Sequence, residues 1–274
     1  MIRLFSLLLL LSACSKYTTS TYKLPKELKE ISGLAVFNDS LLIAHNDGGN
    51  EPNIYFLTKK GKIVHTCSII NTSNTDWEDI TIDPNGTIYI ADVGNNLNNR
   101  TNLSILKING NLAVFQDTCR AEVILISYAN QLNFPPKKAA LNFDCEAIAW
   151  HNDSLILLTK PRTIPWKGFA YIYSLSPQVG TYQLSPKDSL FIGPNGWKKD
   201  APTALEIVEN RALVLTYNRF MLFDIHTQKW KLKSSYVFKN ISQKEAITTD
   251  QHAIYIGAEK HRLLGGPFLH ILEK

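Results

Sequence analysis

The sequence predicts an all-β fold, a β-propeller of about five four-stranded blades, on three observations. A hairpin pattern recurs five times, further strands follow each copy, and a spare N-terminal strand is available to close a ring. The copies align from their first residues at 31–49, 77–96, 145–162, 202–219 and 244–261. Each is an apolar strand, a polar turn and a second strand rich in Leu, Ile, Val or Tyr, and the turns (Asn38-Asp39, Asp83 to Gly86, Asn152-Asp153, Glu209-Asn210, Asp250-Gln251) carry hairpin chemistry. One large aliphatic recurs at Leu34, Ile80, Ile148, Leu205 and Ile247, and a small residue precedes it in four copies: Gly33, Ala147, Ala204 and Ala246. Small side chains there would let strands crowd a narrow axis.

The elements follow in order. Strands are predicted at 53–57 and 62–70 after the first hairpin, 103–108 and 121–128 after the second, and 170–175 and 188–192 after the third. The fourth is followed by 220–225 and 230–238. The units start 46, 68, 57 and 42 residues apart, a size that suits blades. The last hairpin is followed only by 267–272, so the segment 17–24 is expected to complete that blade. Six blades is the alternative count. A sandwich would give no reason for a fivefold hairpin.

The N-terminus reads as export. Met1-Ile2-Arg3 gives a positive start, Leu4 to Leu11 is an apolar run broken only by Ser6, and Leu11-Ser12-Ala13-Cys14 resembles a bacterial lipobox. The expected division is a lipoprotein signal peptide over 1–13, a lipidated Cys14 with a polar tether over 14–24, and the propeller over 25–274. The expected place is the cell envelope, on the outer membrane facing the periplasm. The chain has 29 basic and 24 acidic residues and no basic run, so nucleic acid is not indicated, and a monomer is expected. Cys67, Cys119 and Cys145 allow at most one internal disulfide, lack metal-ligand spacing, and read as strand cysteines.

Chemistry collects at one end of the hairpins. Ser32, Glu78, Glu146, Thr203 and Glu245 begin the first strands, so they would ring one mouth of the central channel, as candidate metal ligands. Antiparallel pairing returns the far ends of the hairpins to the same mouth. Those ends supply His45, Asn46, Lys160, Arg162, Arg219 and Lys260 as candidate ligand-binding groups. Three converging carboxylates either take up protons or are neutralised by a cation, and an oxygen donor set favours Ca²⁺. The alternative is that they accept backbone N–H bonds between blades.

The five-blade layout, with hydroxyl, Glu, Glu, hydroxyl, Glu at the channel, resembles the calcium-activated nucleotidases, the soluble apyrases. The likeness spans about Ile31 to His261. It implies a central calcium and hydrolysis of nucleoside di- and triphosphates. Of that family's catalytic loop, two Asp followed by Arg, Thr and Gly, the stretch His45-Asn46-Asp47-Gly48-Gly49 keeps one Asp and no Arg. The strings HNDGG, DWEDI and ADVGNN also look like those of bacterial secreted propeller lipoproteins. Two functional readings follow. One is a calcium-braced mouth that binds an anionic or polyhydroxylated ligand. The other is a calcium-dependent phosphoester or phosphoanhydride hydrolase, with Asp47 or Asp92 orienting water and the basic groups holding phosphate. No nucleophile elbow or zinc signature is present.

Overall fold

The computed structural model describes residues 17–226, 229–239, 242–250, 252–263 and 265–273. Cys14 and the run expected to be a lipobox lie outside them. Five sheets, one per hairpin copy and each antiparallel through its four main strands, are arranged as a five-bladed propeller. From the axis outward, blade 1 runs Ile31–Val36, Leu41–Asn46, Asn53–Thr58, Ile63–Ile69, and blade 2 runs Trp77–Ile82, Thr87–Asp92, Leu103–Asn109, Glu122–Tyr128. Blade 3 runs Cys145–His151, Ser154–Thr159, Phe169–Leu175, Asp188–Phe191, and blade 4 runs Pro202–Val208, Arg211–Thr216, Arg219–His226, Lys229–Val237. Blade 5 is Lys244–Thr249, Ala253–Ala258 and Phe268–Glu273, closed by Thr18–Lys23. The closing strand pairs antiparallel with Phe268–Glu273, so the propeller begins at Thr18. The stretch expected to be a tether over 14–24 therefore contains a blade strand.

Two blades carry a fifth, short strand that the repeat does not show. Thr118–Cys119 adds parallel to the outer edge of blade 1, and Thr181–Leu184 adds parallel to that of blade 2. Both come from connecting segments, and both cover an otherwise open edge.

The turns form because their own side chains hold them. Asn38 Oδ1 accepts from the backbone N–H of Ser40 and Leu41, both at 2.9 Å, and Asp250 Oδ1 from those of His252 and Ala253 at 2.8 and 2.9 Å. Asn152 and Asp153 take φ of 46° and 57°, the left-handed pair of a tight hairpin turn. The apolar faces then meet between blades. Five buried clusters occupy the five junctions; Trp77, Phe56, Ile43 and Leu106 fill the one between blades 1 and 2. The recurrent aliphatics Leu34, Ile80, Ile148, Leu205 and Ile247 are all buried.

The small-residue column has one exception, and it joins the hub. Blade 2 has Asp79 where the others have Gly33, Ala147, Ala204 and Ala246. Its fully buried carboxylate accepts the N–H of Ile148 in blade 3 at 3.0 Å, Leu205 in blade 4 at 3.2 Å, and its own neighbour Ile80 at 2.9 Å. One side chain thereby links three blades. No helix among the described residues is long and apolar enough to cross a membrane. Cys67, Cys119 and Cys145 are free thiols on strands, the first and last fully buried.

Candidate functional site at the propeller mouth

The inner hairpins share a defect that builds the site. In all five, pairing slips by one residue at the same place, and the extra residue is Ser32, Glu78, Glu146, Thr203 or Glu245. A β-bulge re-aims the side chain it carries. Because the five inner strands pack neighbour to neighbour in a closed cycle, these residues stand together at one mouth of the channel, all buried. The two hydroxyls act between blades. Ser32 Oγ donates to the Glu78 carbonyl, and Thr203 Oγ1 donates to the Lys244 carbonyl at 2.8 Å.

The three carboxylates do not share one environment. Lys160 Nζ donates to Glu146 Oε2 at 2.8 Å and to the Tyr217 hydroxyl at 3.1 Å, over whose ring it also lies. Burial works against that ammonium, but Glu146, Glu245, Tyr217 and Asp144 hold it protonated well above the usual lysine range. The ring thus carries its own cation. Arg162 adds a second, with Nε 2.5 Å from Asp144 Oδ2, NH2 at 3.5 Å from Glu146 Oε1, and a hydrogen bond to Asn96 Oδ1. Burial raises the Glu245 carboxyl to about 8, against the pull of Lys160.

Glu78 is treated differently. It is 5% exposed, and among the described residues no hydrogen bond or ion pair reaches its carboxylate. Burial, then the charges of Glu146, Asp47 and Asp144, push it well above the usual range. Its oxygens belong to two acidic groups whose atoms lie within 4.8 Å of one another: Glu78, Asp144 and Glu146 on one side, and Asp47, Asp76 and Glu78 on the other. The first group holds Lys160 and Arg162. In the second, the one basic contact among the described residues is Arg100 at 4.0 Å from Asp76 Oδ2, while that guanidinium makes its closer bonds to Asp92 Oδ1 at 2.9 Å and the Gly94 carbonyl at 2.6 Å. Burial and the acidic neighbours raise Asp76 to about 6.

The remaining candidates from the sequence fall into three kinds. Asn46 is buried and fastens the 24–30 segment, its Nδ2 donating to the Glu27 carbonyl at 2.7 Å and its Oδ1 accepting the Glu30 N–H at 3.2 Å. His45 is fully buried over Gly33, where any Cβ would meet its ring at 2.2 Å. It packs edge-on against Trp77, and burial lowers it to about 4, so it stays neutral. Asp92 is held by Arg100 and by the Asp76 N–H at 3.1 Å, and Arg219 by Asp200 at 2.9 Å and the Ile192 carbonyl at 2.7 Å. Lys260 is exposed. Asp47 remains half-buried, one oxygen accepting the Gly48 N–H at 2.6 Å.

The sequence contained signals for Asp76 and Asp144 that the ring pattern alone passes over. Each stands two residues before a ring Glu, as Asp-x-Glu in Asp76-Trp77-Glu78 and Asp144-Cys145-Glu146, and only blades 2 and 3 carry this spacing. Around the same mouth, Trp197 is 40% exposed, with the Arg162 guanidinium 5.4 Å and the Lys198 ammonium 5.7 Å from its ring centre. Leu97, Leu132, Phe134 and Ile164 are exposed on loops of that face.

No protein-family model matches the chain, and no curated protein matches it. Solved structures do. Glutaminyl cyclase of Myxococcus xanthus superimposes with a TM-score of 0.57 at 10% identity, over 94% of this chain and 96% of that one. A glucose dehydrogenase-like protein of Thermus thermophilus gives 0.54 at 10% identity, over 93% of this chain and 100% of that one. The luciferin-regenerating enzyme gives 0.50 at 12% identity, over 89% and 78%. At these identities the likeness is one of fold.

Proposed function

We propose that this chain is a ligand-binding propeller that takes a polyhydroxylated ligand at its mouth, over the loops of blades 1 to 4. The observation that carries the reading is the state of the mouth's charges. Lys160, Arg162 and Arg219 are already bound to Glu146, Asp144 and Asp200, so a bare anion would have to break these pairs. At Asp47, Asp76 and Glu78, by contrast, carboxylate oxygens lie within 4.8 Å of one another, and the one hydrogen bond to them among the described residues is that of the Gly48 N–H to Asp47. Hydroxyl groups supply donors, and the exposed part of Trp197, whose ring also carries the Arg162 guanidinium, offers apolar area to a ring carrying them. An anionic ligand would instead depend on the exposed Lys260 or on a bridging metal.

The test is calorimetry of the purified protein against a panel of sugars and polyols and, separately, phosphate esters and nucleotides, with calcium present. A hydroxylated ligand is expected to bind. Trp197→Ala should weaken it about tenfold, or about 1.4 kcal/mol, in a variant that circular dichroism shows to be folded. Binding confined to the phosphate compounds would overturn the reading.

The same proposal includes a lipid at Cys14 that holds the protein at the outer membrane of the envelope. Wild-type protein is then expected in the membrane fraction and Cys14→Ser in the soluble periplasm. Wild-type protein found unmodified in the soluble fraction removes the anchor from the proposal.

A further inference from the structure

At the mouth, the Asp47–Asp76–Glu78 group has the makings of a cation site that shares Glu78 with the ring read from the sequence and takes its other two ligands from outside that ring. Three carboxylates from two blades bring ligand oxygens within 4.8 Å of one another. Such a group alone says little, since acidic residues often cluster. Two further observations point to an occupant. Glu78 is 5% exposed, stands on a bulge that aims it inward, and has no hydrogen-bond or ion-pair partner among the described residues. A nearly buried carboxylate in that state has only the more distant charge of Lys160 to offset it, less than proteins ordinarily provide. The walls are also glycine where the oxygens come closest. A Cβ on Gly94 would stand 2.1 Å from Glu78 Oε1 and 2.5 Å from Asp76 Oδ2, and one on Gly48 would stand 2.6 Å from Asp76 Oδ1. Gly94 and Gly48 have no left-handed φ, so what they provide is room.

The neighbouring group shows what compensation looks like in this protein. Glu146 and Asp144 lie as close together as the first three, and Lys160 and Arg162 reach them at 2.8 and 2.5 Å. Among the described residues no basic group comes nearer to Asp47, Asp76 or Glu78 than Arg100, at 4.0 Å from Asp76.

We infer that Asp47, Asp76 and Glu78 bind a divalent hard cation, Ca²⁺, at the mouth between blades 1 and 2. All three donors are carboxylate oxygens, with no thiolate or imidazole, which excludes a soft-metal preference. Asp47 and Asp76 are half-buried, so part of the shell stays open to water, and an irregular, partly hydrated shell suits Ca²⁺ better than Mg²⁺. The inference deepens the proposed function and rests on it for its purpose: two adjacent hydroxyls of the ligand would displace water from the ion.

The experiment uses the purified chain after exhaustive chelation, titrated calorimetrically with CaCl₂ alone and then with MgCl₂. Tb³⁺ luminescence excited through Trp77, which lies between two of the ligands in sequence, gives a second readout. One Ca²⁺ per chain is expected, with Tb³⁺ emission displaced by Ca²⁺. Asp47→Asn, in a half-buried loop, and Asp76→Asn should each weaken binding about tenfold or more, while Glu245→Gln keeps it. Circular dichroism confirms that each variant is folded, and Asp47→Asn decides if Asp76→Asn is not. Absence of Ca²⁺ binding at millimolar concentration, or binding lost in Glu245→Gln and kept in Asp47→Asn, overturns the site. Ca²⁺ binding without any binding of sugars or polyols leaves the site standing and removes the ligand reading.

Discussion

Asp79→Ala is expected to lower the melting temperature by about 10 °C, taking roughly 2–4 °C per kcal/mol for a domain of this size. The substitution deprives three buried N–H groups of their acceptor, those of Ile80, Ile148 and Leu205. An orphaned buried donor costs about 1–3 kcal/mol, and relief of the buried carboxyl returns part of that, so a net loss of about 3–5 kcal/mol is expected. Burial already pushes this carboxyl well above the usual range, against the three N–H bonds that favour its charge. Asp79→Asn separates the contributions. Its one carbonyl oxygen can keep both bonds to blades 3 and 4 and lose only the local one to Ile80, so it should show the smaller part of the loss. Thermal melts of the two variants check this, and an alanine variant that melts with wild type would show that the hub is held by packing alone.

The second large effect concerns Lys160. Lys160→Met leaves Glu146 and Glu245 buried without their ammonium, and breaking a buried pair in this way costs about 3–5 kcal/mol. The loss should depend on pH, and its sign follows from the acids. Glu245 and Glu259 titrate at about 8 in the folded protein, chiefly because burial disfavours their charge, whereas an unfolded glutamate titrates near 4.5. Between those values the folded state holds more protons than the unfolded one, so stability falls as pH rises through that window. Removing the positive charge steepens the fall. Urea unfolding in chelator at about pH 5, 7 and 8.5 should therefore show the variant's deficit small in acid and largest in base. An equal deficit at all three would mean that Lys160 contributes through packing of its stem.

These two residues show where sequence reading reaches and where it stops. Hairpins, blade number and the closing strand were legible because each is written in a pattern repeated five times or in the lack of one strand. The mouth was legible to the same degree, since strand polarity alone places Ser32, Glu78, Glu146, Thr203 and Glu245 at one height. Asp79 breaks the small-residue column in plain view, yet its partners lie 69 and 126 residues away, and no local pattern names them. The pairing of charges was hidden for a similar reason. Lys160 and Arg162 sit at the hairpin ends like free ligand-holding groups, and only side-chain reach decides that they turn back onto Glu146 and Asp144. The strands at 118–119 and 181–184 are too short, and too dependent on a neighbouring edge, to leave a periodicity.

The closing strand also fixes which way the molecule looks. Thr18 is level, through Glu273, with Ala253 at the hairpin-turn end of blade 5, and Lys23 is level with Ala258 at the mouth end. Anything joined upstream of Thr18 therefore leaves from the face opposite the mouth. Four peptide steps separate Cys14 from Thr18, a reach of about 14 Å at full extension. A lipid there would seat the turn face close against the bilayer and leave the mouth pointing into the aqueous compartment. Substances dissolved in that compartment would meet the carboxylates first, and lipid headgroups beneath the protein would never reach them.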